Sequence, residues 1–214
     1  MAVYPDTLAD PVTRELVIKK SRFIAHIAPA CSVEEAEEVI AAVRKQHWDA
    51  RHNCTAMVTG LRGDQARSSD DGEPSGTAGI PMLEVLRQRG LTDLVAVVTR
   101  YFGGVKLGAG GLVRAYSSAV SEALDDALLL HRHELREALI EVPHADAGRV
   151  DNALRDWALA HGAALGDPVY GATAVLSLWI PPTEQDRLAD DVAALSAGSL
   201  VPAFGRTRIV DVPA

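Results

Sequence analysis

The feature that most constrains this chain is a glycine-rich turn, Tyr101-Phe-Gly-Gly-Val-Lys-Leu-Gly-Ala-Gly-Gly-Leu-Val-Arg-Ala-Tyr116. It sets five glycines (Gly103, Gly104, Gly108, Gly110 and Gly111), Lys106 and Arg114 between an apolar run and a helical pattern. The run at 94–98, LVAVV, reads as a buried strand, and 110–130 reads as a long helix. A glycine turn of this kind lets backbone approach another group closely and leaves free N–H groups at a helix start. Two uses fit: holding an anion, or packing backbone tightly against a neighbouring element. The helix is expected to begin near 108–111, with some glycines at positive φ or against another backbone, Gly104 and Gly110 being the sensitive positions.

Neither familiar phosphate loop is met. A G-x-x-x-x-G-K-[ST] loop would place lysine after Gly108, where Ala109 and Gly110 stand. A G-x-G-x-x-G fingerprint starts at Gly108 and Gly110 but meets Val113 at its third glycine. No cofactor is therefore implied.

Composition narrows the class. The 214 residues are 48% hydrophobic and 23% charged, as expected of a globular protein with a sizeable core. No apolar run approaches a membrane span, and the first residues lack the pattern of a signal peptide. Cys31 and Cys54 are the only cysteines, which fits reduced thiols and a cytoplasmic address. The net charge of −8 argues against a wholly polyanion-binding surface. The charge is uneven: residues 1–132 carry 15 basic against 17 acidic groups, and residues 133–214 carry 6 against 12, with no lysine. A domain boundary is expected near 131–134, giving domains at 1–132 and 133–214.

Element signals support that division. Residues 14–28 read as one or two extended segments, and Ser32-Val-Glu-Glu35 is a capping box opening a helix that ends near His47. A strand at 54–59, a polar loop at 60–76, a helix at 77–89 closed by Gly90, and the central strand follow. The second part reads as strand 135–142, helix 146–161, strands 165–170 and 174–180, helix 183–195 and an extended end. That β-α-β-β-α-β order is the ferredoxin-like plait, so the fold class is α+β in two domains.

The candidate chemistry is concentrated in two stretches. In Ser68-Ser-Asp-Asp-Gly-Glu-Pro-Ser-Gly-Thr-Ala-Gly79, Asp70, Asp71 and Glu73 have the oxygen ligands a hard cation takes, and Ser75 and Thr77, around Gly76, are placed to cap the next helix. A solvated loop with a cap is the simpler alternative. Arg100, Tyr101, Lys106 and Arg114 in the glycine segment supply cations and an aromatic, and Lys19, Lys20 and Arg22 extend a cationic surface. A charge pair between the two stretches is expected to be screened by water. His47, His52 and Cys54 match no zinc spacing; a Cys–His nucleophile pair lacks an orienting third group, and Cys54 reads as a small buried residue.

Four stretches carry a family resemblance: KKSRFIA (19–25), ARHNCTAMV (50–58), SDDGEPSGTAGIPML (69–83) and TRYFGGVKLGAGGLVRAY (99–116). With them the chain resembles the YigZ/IMPACT family. Residues 134–214 are similar, by pattern and position, to the C-terminal domain of bacterial members. One departure is Ile80, where many relatives carry lysine. The resemblance implies an N-terminal α/β domain like that of a small-subunit ribosomal protein and elongation factor G, and a plait like other elongation-factor domains. It also implies a role around translation: the eukaryotic relative restrains an amino-acid-starvation response by competing for a ribosome-associated activator of its kinase. The expectation is a non-enzymatic, cytoplasmic regulator that binds the ribosome, RNA or a translation factor through 70–77 and 100–114. An enzyme or sensor for a phosphate-bearing molecule, with a divalent cation, is the alternative, and a ligand-free adaptor is a third.

Overall fold

The computed structural model describes residues 4–213. The chain divides into two compact units, one of residues 4–132 with 212–213 and one of residues 133–211.

In the first unit, β1 (Thr7–Leu8), β2 (Val12–Ile18) and β3 (Ser21–Pro29) lead to α1 (Val33–Gln46), β4 (His52–Thr59) and β5 (Gln65–Ser69). Then come α2 (Gly79–Gln88), β6 (Leu94–Tyr101), α3 (Ala109–Asp125) and the start of β7 (Leu129–Val142). Five strands form a sheet in the order β2-β3-β6-β4-β5, every neighbour antiparallel. The late strand β6 thus lies between β3 and β4, and both its faces are covered. This is why 94–98 is apolar without alternation. Val95 and Val97 meet Ala36, Ile40 and Val43 of α1 on one face. Leu94, Ala96 and Val98 meet Met82 and Leu86 of α2 and Leu112, Tyr116 and Ala119 of α3 on the other.

The second unit holds the rest of β7, α4 (Ala147–His161), β8 (Ala164–Leu165), β9 (Val169–Tyr170), β10 (Ala174–Ile180), α5 (Gln185–Leu195) and β11 (Ala203–Pro213). Its strands run β11-β7-β10-β8, with β9 also on β10. That order, with a helix after the first strand and another after the third, is the ferredoxin-like plait. Its own core joins Ala138, Ile140 and Val142 to Val150, Leu154, Leu178, Leu188 and Val192. Two domains of mixed α and β structure are therefore present. Among the described residues no helix is long and apolar enough to cross a membrane.

The expected extended stretch 14–28 is two strands joined as a hairpin, whose turn residues Lys19 and Lys20 take φ of 46° and 68°. Three local expectations need correction. The polar loop 60–76 contains β5, an exposed edge strand paired with β4 that has no apolar alternation to announce it. The helix predicted over 110–130 ends at Asp125, because Leu129 and Leu130 pair with Leu8 and Thr7 instead. Finally, the strand predicted at 165–170 splits into β8 and β9 around Pro168, which has no N–H for a ladder.

Candidate functional site

The 70–77 loop is ordered from within. Asp71, Gly72 and Gly76 take φ of 43°, 84° and 75°, folding the chain back on itself. Asp70 then turns its carboxylate onto the start of α2. Its Oδ1 accepts from the amides of Ala78 (3.0 Å) and Gly79 (2.8 Å), and its Oδ2 accepts from Gly76 (2.8 Å). Burial alone would push the Asp70 carboxyl up, but these three donors outweigh it and hold it below the usual range. The anion at this helix N-terminus is a side chain of the protein itself. Ser75 and Thr77 do not cap α2, as the sequence predicted; the Thr77 hydroxyl donates to the Pro74 carbonyl at 2.6 Å. Gly79 is required for a separate reason: a Cβ there would lie 2.7 Å from the Ser69 backbone nitrogen.

The other two acids are also engaged. Asp71 accepts from the Asn53 amide at 2.6 Å and from Arg44 at 3.2 Å, and its carbonyl oxygen is 2.9 Å from His52 Nδ1. Glu73 is buried, its Oε1 taking the Arg100 guanidinium at 2.6 Å and the Tyr116 hydroxyl at 2.8 Å. The three carboxylates therefore point to three different partners. Among the described residues no three His, Cys, Asp or Glu side chains are grouped to hold a metal ion.

Arg100 corrects a second expectation. The sequence places it on the surface, in a pair screened by water, yet its side chain is 8% exposed and that of Glu73 4%. Phe23 stacks beneath its guanidinium at 5.3 Å, and Phe102 lies 5.7 Å away. Removing Arg100 would strand the Glu73 charge, at a cost of about 3–5 kcal/mol. Arg100 ties the 70–77 loop to β6 and is not available to a ligand.

Cys54 completes this buried network. Its Sγ lies 2.9 Å from the Asp70 carbonyl and 3.4 Å from the Tyr116 hydroxyl. Burial, reinforced by the nearby carboxylates, pushes the thiol up to about 12, and burial likewise raises Tyr116 well above the ordinary tyrosine value. Cys54 is thus a protonated structural thiol, and the Cys–His nucleophile reading falls. Tyr116 escaped sequence reasoning because it sits on the apolar stripe of α3, where only its buried hydroxyl reveals a polar role.

The glycine turn is exposed. Gly104 and Gly108 take φ of 85° and 73°, and Gly108 caps α3 by backbone alone, its carbonyl accepting from Leu112 at 2.9 Å. Among the described residues no side chain caps the start of α3, in contrast to the filled start of α2. Gly103 has no room for a Cβ, which would collide with the Lys20 carbonyl, and its amide donates to Ser21 Oγ at 3.1 Å. A Cβ on Gly111 would touch Leu107 at 3.0 Å, whereas Gly110 faces open space. Gly110, expected with Gly104 to be a sensitive position, is thus singled out neither by close packing nor by a positive φ. Lys106 and Arg114 are exposed, and neither forms an ion pair among the described residues.

Tyr101 lies on the opposite, α1 face of the sheet. Its hydroxyl donates to Asp49 at 2.9 Å and sits 3.1 Å from His47 Nδ1, and Arg22 lies 5.3 Å over its ring. The predicted site residues thus separate into an internally bonded tie (half-buried Asp70 and Asp71 with buried Glu73, Thr77 and Arg100), an exposed turn (103–114) and Tyr101 on the far face.

Comparison with known proteins places this geometry in context. The family described as Impact N-terminal domain matches residues 19–124, and a domain of unknown function, DUF1949, matches residues 140–199. IMPACT family member YvyE of Bacillus subtilis is 49% identical over 150 residues, 70% of this chain and 69% of that protein. IMPACT family member YigZ of Escherichia coli is 38% identical over 194 residues, covering 90% and 93%. The crystal structure of a hypothetical protein, 36% identical, superposes with a TM-score of 0.60 over 94% of this chain and 97% of that one.

Proposed function

The chain belongs to the IMPACT family, and we propose that its N-terminal domain is a non-enzymatic module that docks on a translation component through one cationic edge. The observation that carries this reading is the packing of Gly103 against Lys20. It sets the Lys19–Lys20 turn beside the glycine turn that bears Lys106. The two contributing stretches, 16–33 and 94–121, contain no aspartate or glutamate at all. In a protein of net charge −8, that concentrates positive potential on one edge, where a polyanion or an acidic partner is attracted. The translation link comes from the family resemblance. The cytoplasm is the compartment that such a partner requires.

The test is co-sedimentation with ribosomes from lysate, with and without nuclease, using the wild type and a Lys106→Glu/Arg114→Glu variant. Wild type should pellet with ribosomes at low salt and release as salt rises. The variant should stay in the supernatant with an unchanged circular dichroism spectrum, since both side chains are exposed and form no ion pair among the described residues. No association of the wild type from low to physiological salt would discard this reading in favour of the adaptor.

The open start of α3 favours a second reading, a phosphate-bearing small molecule held by the amides of Ala109, Gly110 and Gly111 with Lys106. A saturable rise in melting temperature with a nucleoside triphosphate, independent of ribosomes, would support it. Its divalent-cation component loses ground, because Asp70, Asp71 and Glu73 are engaged by backbone amides, Arg44, Arg100 and Tyr116.

A further inference from the structure

Trp48 is 83% exposed, although both of its chain neighbours are held firmly. His47 and Asp49 both bond to the Tyr101 hydroxyl, at 3.1 and 2.9 Å. The turn is closed behind them by the His47 amide donating to Val43 and the Ala50 amide donating to His47, at 2.9 and 3.0 Å. The indole is therefore displayed from a pinned backbone, and it contributes nothing to either core. A fixed, exposed indole carries a small entropy cost on binding, which suits it to stacking.

Its surroundings are cationic. Lys45 and Arg51 flank it in sequence and form no ion pair among the described residues. The one acid in that segment, Asp49, is occupied by Tyr101. From Tyr101 the path continues through a chain of contacts. Arg22 lies over the Tyr101 ring, Ser21 and Lys20 abut Gly103, and Lys106 follows three residues on. Phe102, 54% exposed, stands beside this path.

Along this line Arg22 is shared with Glu15, at 2.7 and 2.9 Å, while Lys20 and Lys106 form no ion pair among the described residues. An aromatic face at one end of such a line of cations matches the way single-stranded nucleic acid is held: bases stack on rings and phosphates track the charge. A duplex keeps its bases stacked inside and has no use for a projecting indole. Resting on the cationic edge proposed above, we propose that Trp48 is the base-stacking platform of a single-stranded RNA track running past Arg22 and Lys20 to Lys106.

The test uses the full chain and a fluorescent oligouridylate of about ten nucleotides, within the usual site size for such tracks, with a duplex RNA of equal length as control. Wild type should bind the single strand more tightly than the duplex, with quenching of tryptophan fluorescence. Trp48→Ala should weaken oligonucleotide binding about tenfold or more and abolish the quenching, while Trp48→Phe stays within about threefold of wild type. Both variants should melt as wild type does. Equal or tighter duplex binding, or an unaffected Trp48→Ala variant, would overturn the track. Loss of ribosome co-sedimentation in Trp48→Ala with oligonucleotide binding intact would also overturn it, making Trp48 an anchor for a protein. If Trp48→Ala is silent yet Lys106→Glu/Arg114→Glu loses the ribosome, the track fails and the cationic edge stands. If wild type binds neither ribosome nor oligonucleotide, both readings fail together.

Discussion

At position 103 a side chain has nowhere to go, and one residue type joins two distant loops. Gly103 lies directly on the Lys20–Ser21 backbone, while Gly110, seven residues later, faces open space inside a helix. Their substitutions should move in opposite directions. Gly103→Ala forces the hairpin turn and the glycine turn apart and should destabilise by at least about 1–3 kcal/mol, the usual range for overpacking. Gly110→Ala adds a helix-favouring residue in free space and should stabilise by about 0.5–1 kcal/mol. Urea unfolding of the two variants decides it; a destabilised Gly110→Ala would show that the start of α3 is packed after all. The spacing of glycines announced a special turn. Which glycine is the tight one depends on a hairpin some eighty residues earlier in the chain, and no local spacing contains that.

The two long helices of the α2/α3 layer start in different ways, and the difference separates a structural anion from an open one. α2 begins on the Asp70 carboxylate, which accepts from the amides of Ala78 and Gly79, eight and nine residues further on, whereas α3 begins on Gly108 with no side chain accepting among the described residues. Replacing Asp70 by Asn should cost about 1–2 kcal/mol at neutral pH, through loss of a charged cap at a helix N-terminus. The folded-state pKa of Asp70 is depressed, so its charge stabilises the protein above the ordinary aspartate value near 4 and ceases to do so as pH falls through the folded value. The stability gap between wild type and Asp70→Asn should accordingly be full at neutral pH and shrink as the medium is acidified below about 4. A gap that is constant with pH would mean that the carboxylate charge is immaterial. By comparison, the α1 cap was legible in advance. Ser32 Oγ accepts from the Glu35 amide at 3.2 Å, and Glu35 reaches back to the Cys31 amide at 2.7 Å. Its partners are adjacent in sequence, and those of Asp70 are not.

Across the molecule, the packing of the two domains shares no core residue: β6 is packed on one face against α1 and on the other against α2 and α3, and β7 and β10 are packed against α4 and α5. Leu178→Ala, at a fully buried site in the second core, should cost about 2–5 kcal/mol there. Hydrogen exchange should then rise in β10 and α5 while β6 keeps its protection. Equal acceleration in both units would show that they unfold as one. What the sequence by itself determined is what local patterns encode. The apolar run of β6, the capping box of α1, the β-α-β-β-α-β order and the motifs of the family are all readable from neighbouring residues, because propensity, period and turn chemistry act over a few positions. The tertiary structure alone decided the fate of the charges. Arg100 and Lys106 lie in one short segment and look alike as letters, yet one is buried against Glu73 and the other faces solvent. The physical reason is that a charge takes its role from the dielectric and the partners around it, and those are supplied by residues far away in the chain.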